Sequence, residues 1–141
     1  MKKTNRRTLA IIIISVIFWT ACMSGKTQEI CEREVDKFHA LLNEGKFKEL
    51  FDASGQELKD VTSEEEFTQF LDAVHRKLGA AGEKKLTGWH VNYNTRGNFV
   101  DLGYETTFAG DKAAEKFTFI VSGDQARLVG YHVNSKALII K

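Results

Sequence analysis

The chain has 141 residues, a formal net charge of +1, no proline and two cysteines. That length supports one domain with a proper core. The near-neutral charge, with no basic stripe interleaved with aromatics, excludes a nucleic-acid-binding surface.

The first element is a leader. Lys2, Lys3, Arg6 and Arg7 precede a stretch, Leu9 to Ala21, that carries no charge. A basic flank followed by an apolar core shorter than the roughly 20 residues a membrane helix needs describes a secretory signal peptide. Its end, Trp19-Thr20-Ala21-Cys22, resembles the lipobox of bacterial lipoproteins. That resemblance implies cleavage after residue 21 and acylation of Cys22, and stable anchoring by lipid takes more than one acyl chain. The expected organisation is a signal peptide at 1–21, a short polar tether at 22–28 and a single domain at 29–141. The alternative is an uncleaved anchor helix reaching Gly25. The location implied is the cell envelope, with the domain facing the periplasm; Met23 after the cysteine resembles the pattern sorted to the outer membrane of a Gram-negative host. Without its leader the chain loses four of its 20 cations and none of its 19 acids, so the remainder is acidic, at −3.

Helices come next. Cys31, Val35, Phe38 and Leu42 recur at helical spacing up to Gly45, and this stripe makes Cys31 a buried small hydrophobe. A disulfide to Cys22 would require that Cys22 escape lipidation. "KFKELFDASG" predicts a short second helix. Ser63 and Glu66 form a capping-box pattern ahead of a third, whose stripe is Phe67, Phe70, Leu71, Val74 and Leu78, ending at Gly79. "GAAGEKK" at 79–85 reads as a helix exit and flexible loop.

The second half alternates with period two. Trp89, Val91 and Tyr93 are expected on the buried face, with His90, Asn92 and Asn94 opposite. Val100, Leu102, Tyr104, Thr106 and Phe108 follow after a turn at 96–98. Phe117, Phe119 and Val121 make a third strand, and Val129, Tyr131 and Val133 a fourth. Alternation of this kind marks an antiparallel sheet with one buried face. The predicted fold class is therefore α+β, with N-terminal helices packed on a curved four-stranded antiparallel sheet.

Three helices followed by four strands resemble the cone-shaped fold of the nuclear transport factor two-like superfamily, which includes ketosteroid isomerases. "RKLG" at 76–79, "GNFVDLGYETTF" at 97–108 and "AAEKFTFIVSGDQARLVGYHV" at 113–133 are similar to a family of small bacterial exported proteins of unknown function. The superfamily resemblance implies an acid–base site inside the cone for those members that are enzymes. The helix-facing strand positions above include no carboxylate or histidine, and Asp52, Asp72 and His75 are expected on the solvated side of their helices. The chain is therefore expected to be non-catalytic, with no cofactor. His90, Asp101, Glu105, Lys116 and His132 lie together on the polar face without a metal-ligand spacing. There is no GxSxG sequence and no glycine-rich phosphate loop.

The expected activity is binding of a small apolar ligand, with Trp89, Tyr93, Tyr104 and Tyr131 as the candidate pocket. The alternative is a module that binds an envelope protein, or itself, through His90, Asp101, Glu105 and His132. An isomerase or hydrolase would need a titratable group facing the helices.

Overall fold

The computed structural model describes the backbone of residues 6–140 and the side chains of 25–140. The side chains of the expected leader, and Cys22 with its expected acylation, lie outside the described residues. Among the described residues, five helices and four strands follow in the order α1 (Arg6–Asn43), α2 (Phe47–Ala53), α3 (Gln56–Val61), α4 (Glu64–Leu78), β1 (Ala81–Asn94), β2 (Gly97–Phe108), β3 (Lys112–Ser122), β4 (Gln125–Asn134) and α5 (Lys136–Ile139). The strands form one open antiparallel sheet in chain order, a meander built from hairpins.

The helices form where the pattern placed them, with two additions. Residues 22–28, read as a tether, are part of α1, which runs unbroken to Asn43. Cys31, Val35, Phe38 and Leu42 are its buried stripe. α4 opens on the expected capping box: the Ser63 hydroxyl accepts from the Glu66 amide, and the Ser63 amide donates back to the Glu66 carboxylate. The short helices α3 and α5 add to the three expected. Among the described residues, no helix is long and apolar enough to cross a membrane.

The sheet departs from the predicted pattern at both edges. β1 begins at Ala81, so most of the expected loop at 79–85 is strand, with Ala81 paired to Phe108 and Lys84 to Thr106. Register shifts at Ala81/Lys84 and Leu86/Gly88 interrupt it. Past the second shift Trp89 stands opposite Leu102 and Tyr93 opposite Asn98, so both point to the helix-facing side as expected. They are not buried there: Trp89 is 40% exposed and Tyr93 71%. The helix layer stops short of this end of β1. In β4 a register shift pairs Thr118 with Gly130 but Phe119 with Leu128. The extra residue is Val129, so Leu128, and not Val129, joins Tyr131 and Val133 on the buried side.

One core results. Phe117 and Phe119 of β3 and Val100 and Leu102 of β2 pack under Val35, Phe38 and Leu42 of α1 and Leu71, Val74 and Leu78 of α4. Fully burying each such side chain is worth roughly 1.5–3 kcal/mol.

Candidate functional site

Alternation in β3 puts Ala113, Glu115, Phe117, Phe119 and Val121 on the helix-facing side. Glu115 is thus a carboxylate inside the core, its side chain wholly shielded from water. This corrects the reading that no strand position on that side carries a carboxylate or a histidine. Three groups hold it. The Tyr131 hydroxyl donates to Oε1 at 2.6 Å. The Thr106 hydroxyl donates to Oε2 at 2.5 Å, and Nε2 of His39 lies 2.9 Å from the same oxygen. His39 is buried on α1 between the edges of Phe108 and Phe117.

Every member of this cluster is set by local structure. Tyr104 faces Glu115 across the β2–β3 ladder, so Thr106 approaches the carboxylate from the diagonal position. Phe117 faces Tyr131 across β3–β4, so Tyr131 reaches Glu115 from the other diagonal. His39 lies one turn past Val35 on the buried stripe of α1. A carboxylate in such a dry place costs several kcal/mol unless its lone pairs are used. Here three partners share its two oxygens, and among the described residues no buried side-chain polar atom lacks a partner.

Tyr131 links this network to the surface. Its ring contacts Phe38 and Phe117 on the core side and Phe70 on the other, at centroid distances of 4.6, 5.0 and 6.0 Å. Beyond it lies a groove of about 250 Å3 between α3, α4 and β4, walled by Leu58, Val61, Phe67, Phe70 and Val129, with Thr62 and Glu66 also lining it. Phe70 is 42% exposed and Val61 81%, so folding leaves two large apolar side chains of this wall in water. Burial, then the neighbouring Glu115 charge, raises the Tyr131 phenol well above its ordinary pKa, so the hydroxyl stays a donor.

The sequence-derived pocket residues are therefore not one site. Tyr131 lines the groove. Tyr104 is buried beneath α1, its ring 6.1 Å from that of Phe117, and burial pushes its phenol upward too. The β1 segment around Trp89 borders a separate depression of about 360 Å3 on the open face, with Thr87, His90, Asp101, Gly103 and Lys116, opposite the side to which the register sends the Trp89 ring. Tyr93 lines none of the cavities described here and stands in solvent.

On the open face, His90, Glu105 and His132 are exposed and Asp101 is half-buried. Asp101 accepts from the Thr118 hydroxyl at 2.6 Å and pairs with Lys116 at 3.1 Å; Glu105 pairs with Lys112 at 3.3 Å. These are ordinary cross-strand partnerships on a solvated face. Among the described residues no group of three His, Cys, Asp or Glu side chains is placed to hold a metal. Cys31 is fully buried, and burial pushes its thiol up to about 12, an inert form.

Residues 34–131 match the family described as protein of unknown function (DUF4019). The match covers most of the chain, from the last third of α1 to Tyr131, and the chain belongs to that family. No curated protein matches it.

Proposed function

We propose that this family member is an exported cell-envelope protein, lipid-anchored at Cys22, whose domain binds a small apolar molecule in the Tyr131 groove without catalysing a reaction on it. The observation that carries the binding reading is the groove itself. Two of its apolar walls, Val61 and Phe70, are left in water by the fold. Its floor is a phenol fixed from behind by Glu115. Ligand sites are typically concave and mostly apolar, with a few placed polar groups. The volume is just under the lower end of drug-sized sites, which selects a small ring or short chain. Two larger depressions, near Trp89 and at Gly55–Glu57 beside Gln125, carry more charged and amide side chains: His90, Asp101 and Lys116 line the first and Gln56, Glu57, Gln125 and Arg127 the second. The crevice under α1 and α2, at about 80 Å3, is too small for an organic ligand.

The anchor reading draws on the basic flank, the short apolar stretch and Cys22. The fold reading carried with it is the nuclear transport factor two-like cone, supported by helices preceding a four-stranded antiparallel meander. Glu115 is a specific observation for a second reading, an isomerase-like enzyme, because it is the titratable group facing the helices that such a mechanism needs. It ranks second because both carboxylate oxygens are engaged and the carboxylate lies behind Tyr131, not in the groove wall.

Native mass spectrometry of the protein extracted from its host membranes tests the first reading. The expected result is an acylated chain beginning at Cys22 that carries a small-molecule adduct, with the adduct lost in Phe70→Ala and kept in Glu105→Lys. A ligand at a hundredfold excess over its dissociation constant adds about 2.7 kcal/mol of stability. An adduct-free protein whose melting temperature does not respond to small apolar compounds removes the binding reading. A mass that still includes Met1 removes the anchor reading independently.

A further inference from the structure

We infer that the β1–β2 hairpin tip is a second membrane contact, with Tyr93 and Arg96 seated among lipid headgroups. The inference rests on the anchor reading above and adds the orientation of the domain on the bilayer.

The argument begins with which end of the sheet faces the anchor. Lys26, four residues after Cys22, pairs with Asp124 at 3.0 Å. Asp124 lies in the β3–β4 turn, where Ser122 pairs with Gln125. The β1–β2 turn is at the same end and nearly level with it, since Asn94 pairs with Gly97 and Asn98 with Val121. At the other end of α1, Asn43 exchanges hydrogen bonds with the backbone of Ala81, where β1 starts. So α1 crosses the sheet from the hairpin tips to the far end, and the segment bearing the apolar stretch enters at the tips.

The leash is short. α1 is continuous through Cys22 and Lys26, and four residues of helix rise about 6 Å. The polar layer of a leaflet is roughly 5–7 Å deep. A chain held at Cys22 therefore brings Lys26, Asp124 and both hairpin tips to headgroup depth. An uncleaved anchor would place them the same way, because the apolar stretch ends at the same residues.

The chemistry of the β1–β2 tip suits that position. Tyr93 stands next to the turn with 71% of its surface exposed, and Arg96 is exposed within it. The tip is held in shape by the Arg96 amide donating to Asn94 Oδ1 at 2.9 Å and by Gly97 at φ 143°. Tyrosine is enriched at membrane–water interfaces because its ring is apolar and its hydroxyl wet, and arginine is drawn to anionic lipid. Trp89 points to the same side four residues deeper, about 13 Å from Tyr93 along the strand. The apolar strip that the helices leave bare thus runs up from the membrane end.

Depth-dependent quenching tests this in the full chain. Three single-tryptophan proteins are reconstituted into phosphatidylethanolamine–phosphatidylglycerol vesicles containing phospholipid brominated near the carbonyl end of its acyl chain. All carry Trp19→Phe. One keeps Trp89; the other two carry Trp89→Phe with Tyr93→Trp or, at the far end of the sheet, Asn134→Trp. The expected result is vesicle flotation for all three, with most emission lost at position 93, a smaller loss at 89 and none at 134. Flotation with no quenching at 93, or equal quenching at 93 and 134, overturns the hairpin contact and leaves the anchor standing. Protein that does not float overturns both.

Discussion

Glu115 has no route to water, and its two oxygens hold together three elements: His39 from α1, Thr106 from β2 and Tyr131 from β4. Replacing one donor by its apolar shape leaves a buried acceptor partly unsatisfied, which costs about 1–3 kcal/mol. Tyr131→Phe is therefore expected to lower the unfolding free energy by that amount, read as a lower urea midpoint at unchanged m, though the ring still fills its place. A loss below about 0.5 kcal/mol, the range of ordinary surface substitutions, would mean the hydrogen bond contributes little. This cluster was legible in part. Strand parity runs from Phe119 through Phe117 straight back to Glu115, and His39 follows Val35 by four residues and precedes Leu42 by three. Both positions fall on apolar stripes. The signal was there, but a polar residue at the end of a run of phenylalanines reads naturally as the edge of the run. What parity cannot supply is the meeting of three elements on one carboxylate, which depends on how α1 crosses the sheet.

At the scale of elements, helices with strong stripes and a capping box were readable, and so were the central strands β2 and β3, where both neighbours enforce the alternation. The edges were less so. The start of β1, "AGEKKL", is charged and glycine-bearing, as edge strands often are to discourage further pairing. Its pairing is decided by β2, not by its own residues. In β4 the extra residue Val129 follows from a contact distant in sequence. The Gly55 amide donates to the Leu128 carbonyl at 2.7 Å, bringing the entry to α3 against the strand. A Cβ on Gly55 would stand 2.8 Å from Cγ1 of Val129 and 3.0 Å from Oε2 of Glu57. The backbone there, φ −69° and ψ 161°, suits any residue, so the glycine is required by space and not by conformation. Gly55→Ala is expected to cost about 1–3 kcal/mol by overpacking. Adding Val129→Ala should recover part of that loss, because the two side chains compete for one volume. Additive losses in chemical denaturation would show that the close approach is not what sets the register.

Across the whole molecule, the buried weak acids make stability fall on the alkaline side. Cys31 is pushed from 9.0 to about 12 by burial, with Glu34 and Glu32 adding to it. Tyr104 and Tyr131 are raised above 10.0, chiefly by burial as well. Each group keeps its proton in the folded protein at a pH where the unfolded chain has released it. Below about pH 9 both states are protonated and these groups leave stability unchanged. Above it the unfolded state binds fewer protons, and stability declines by at most about 1.4 kcal/mol per pH unit for each such group. The thiol acts first, because its unfolded pKa is the lowest of the three, and the phenols join above about pH 10. The melting temperature should therefore begin to fall near pH 9 and fall more steeply past pH 10. In Cys31→Ala the protein starts less stable, from the cavity, but the slope between pH 9 and 10 should flatten. In Tyr104→Phe that interval should be unchanged and the steeper fall beyond it reduced. An undiminished slope in Cys31→Ala between pH 9 and 10 would mean the thiol ionises as readily in the folded protein as in the unfolded one, and that α1 does not seal it from solvent.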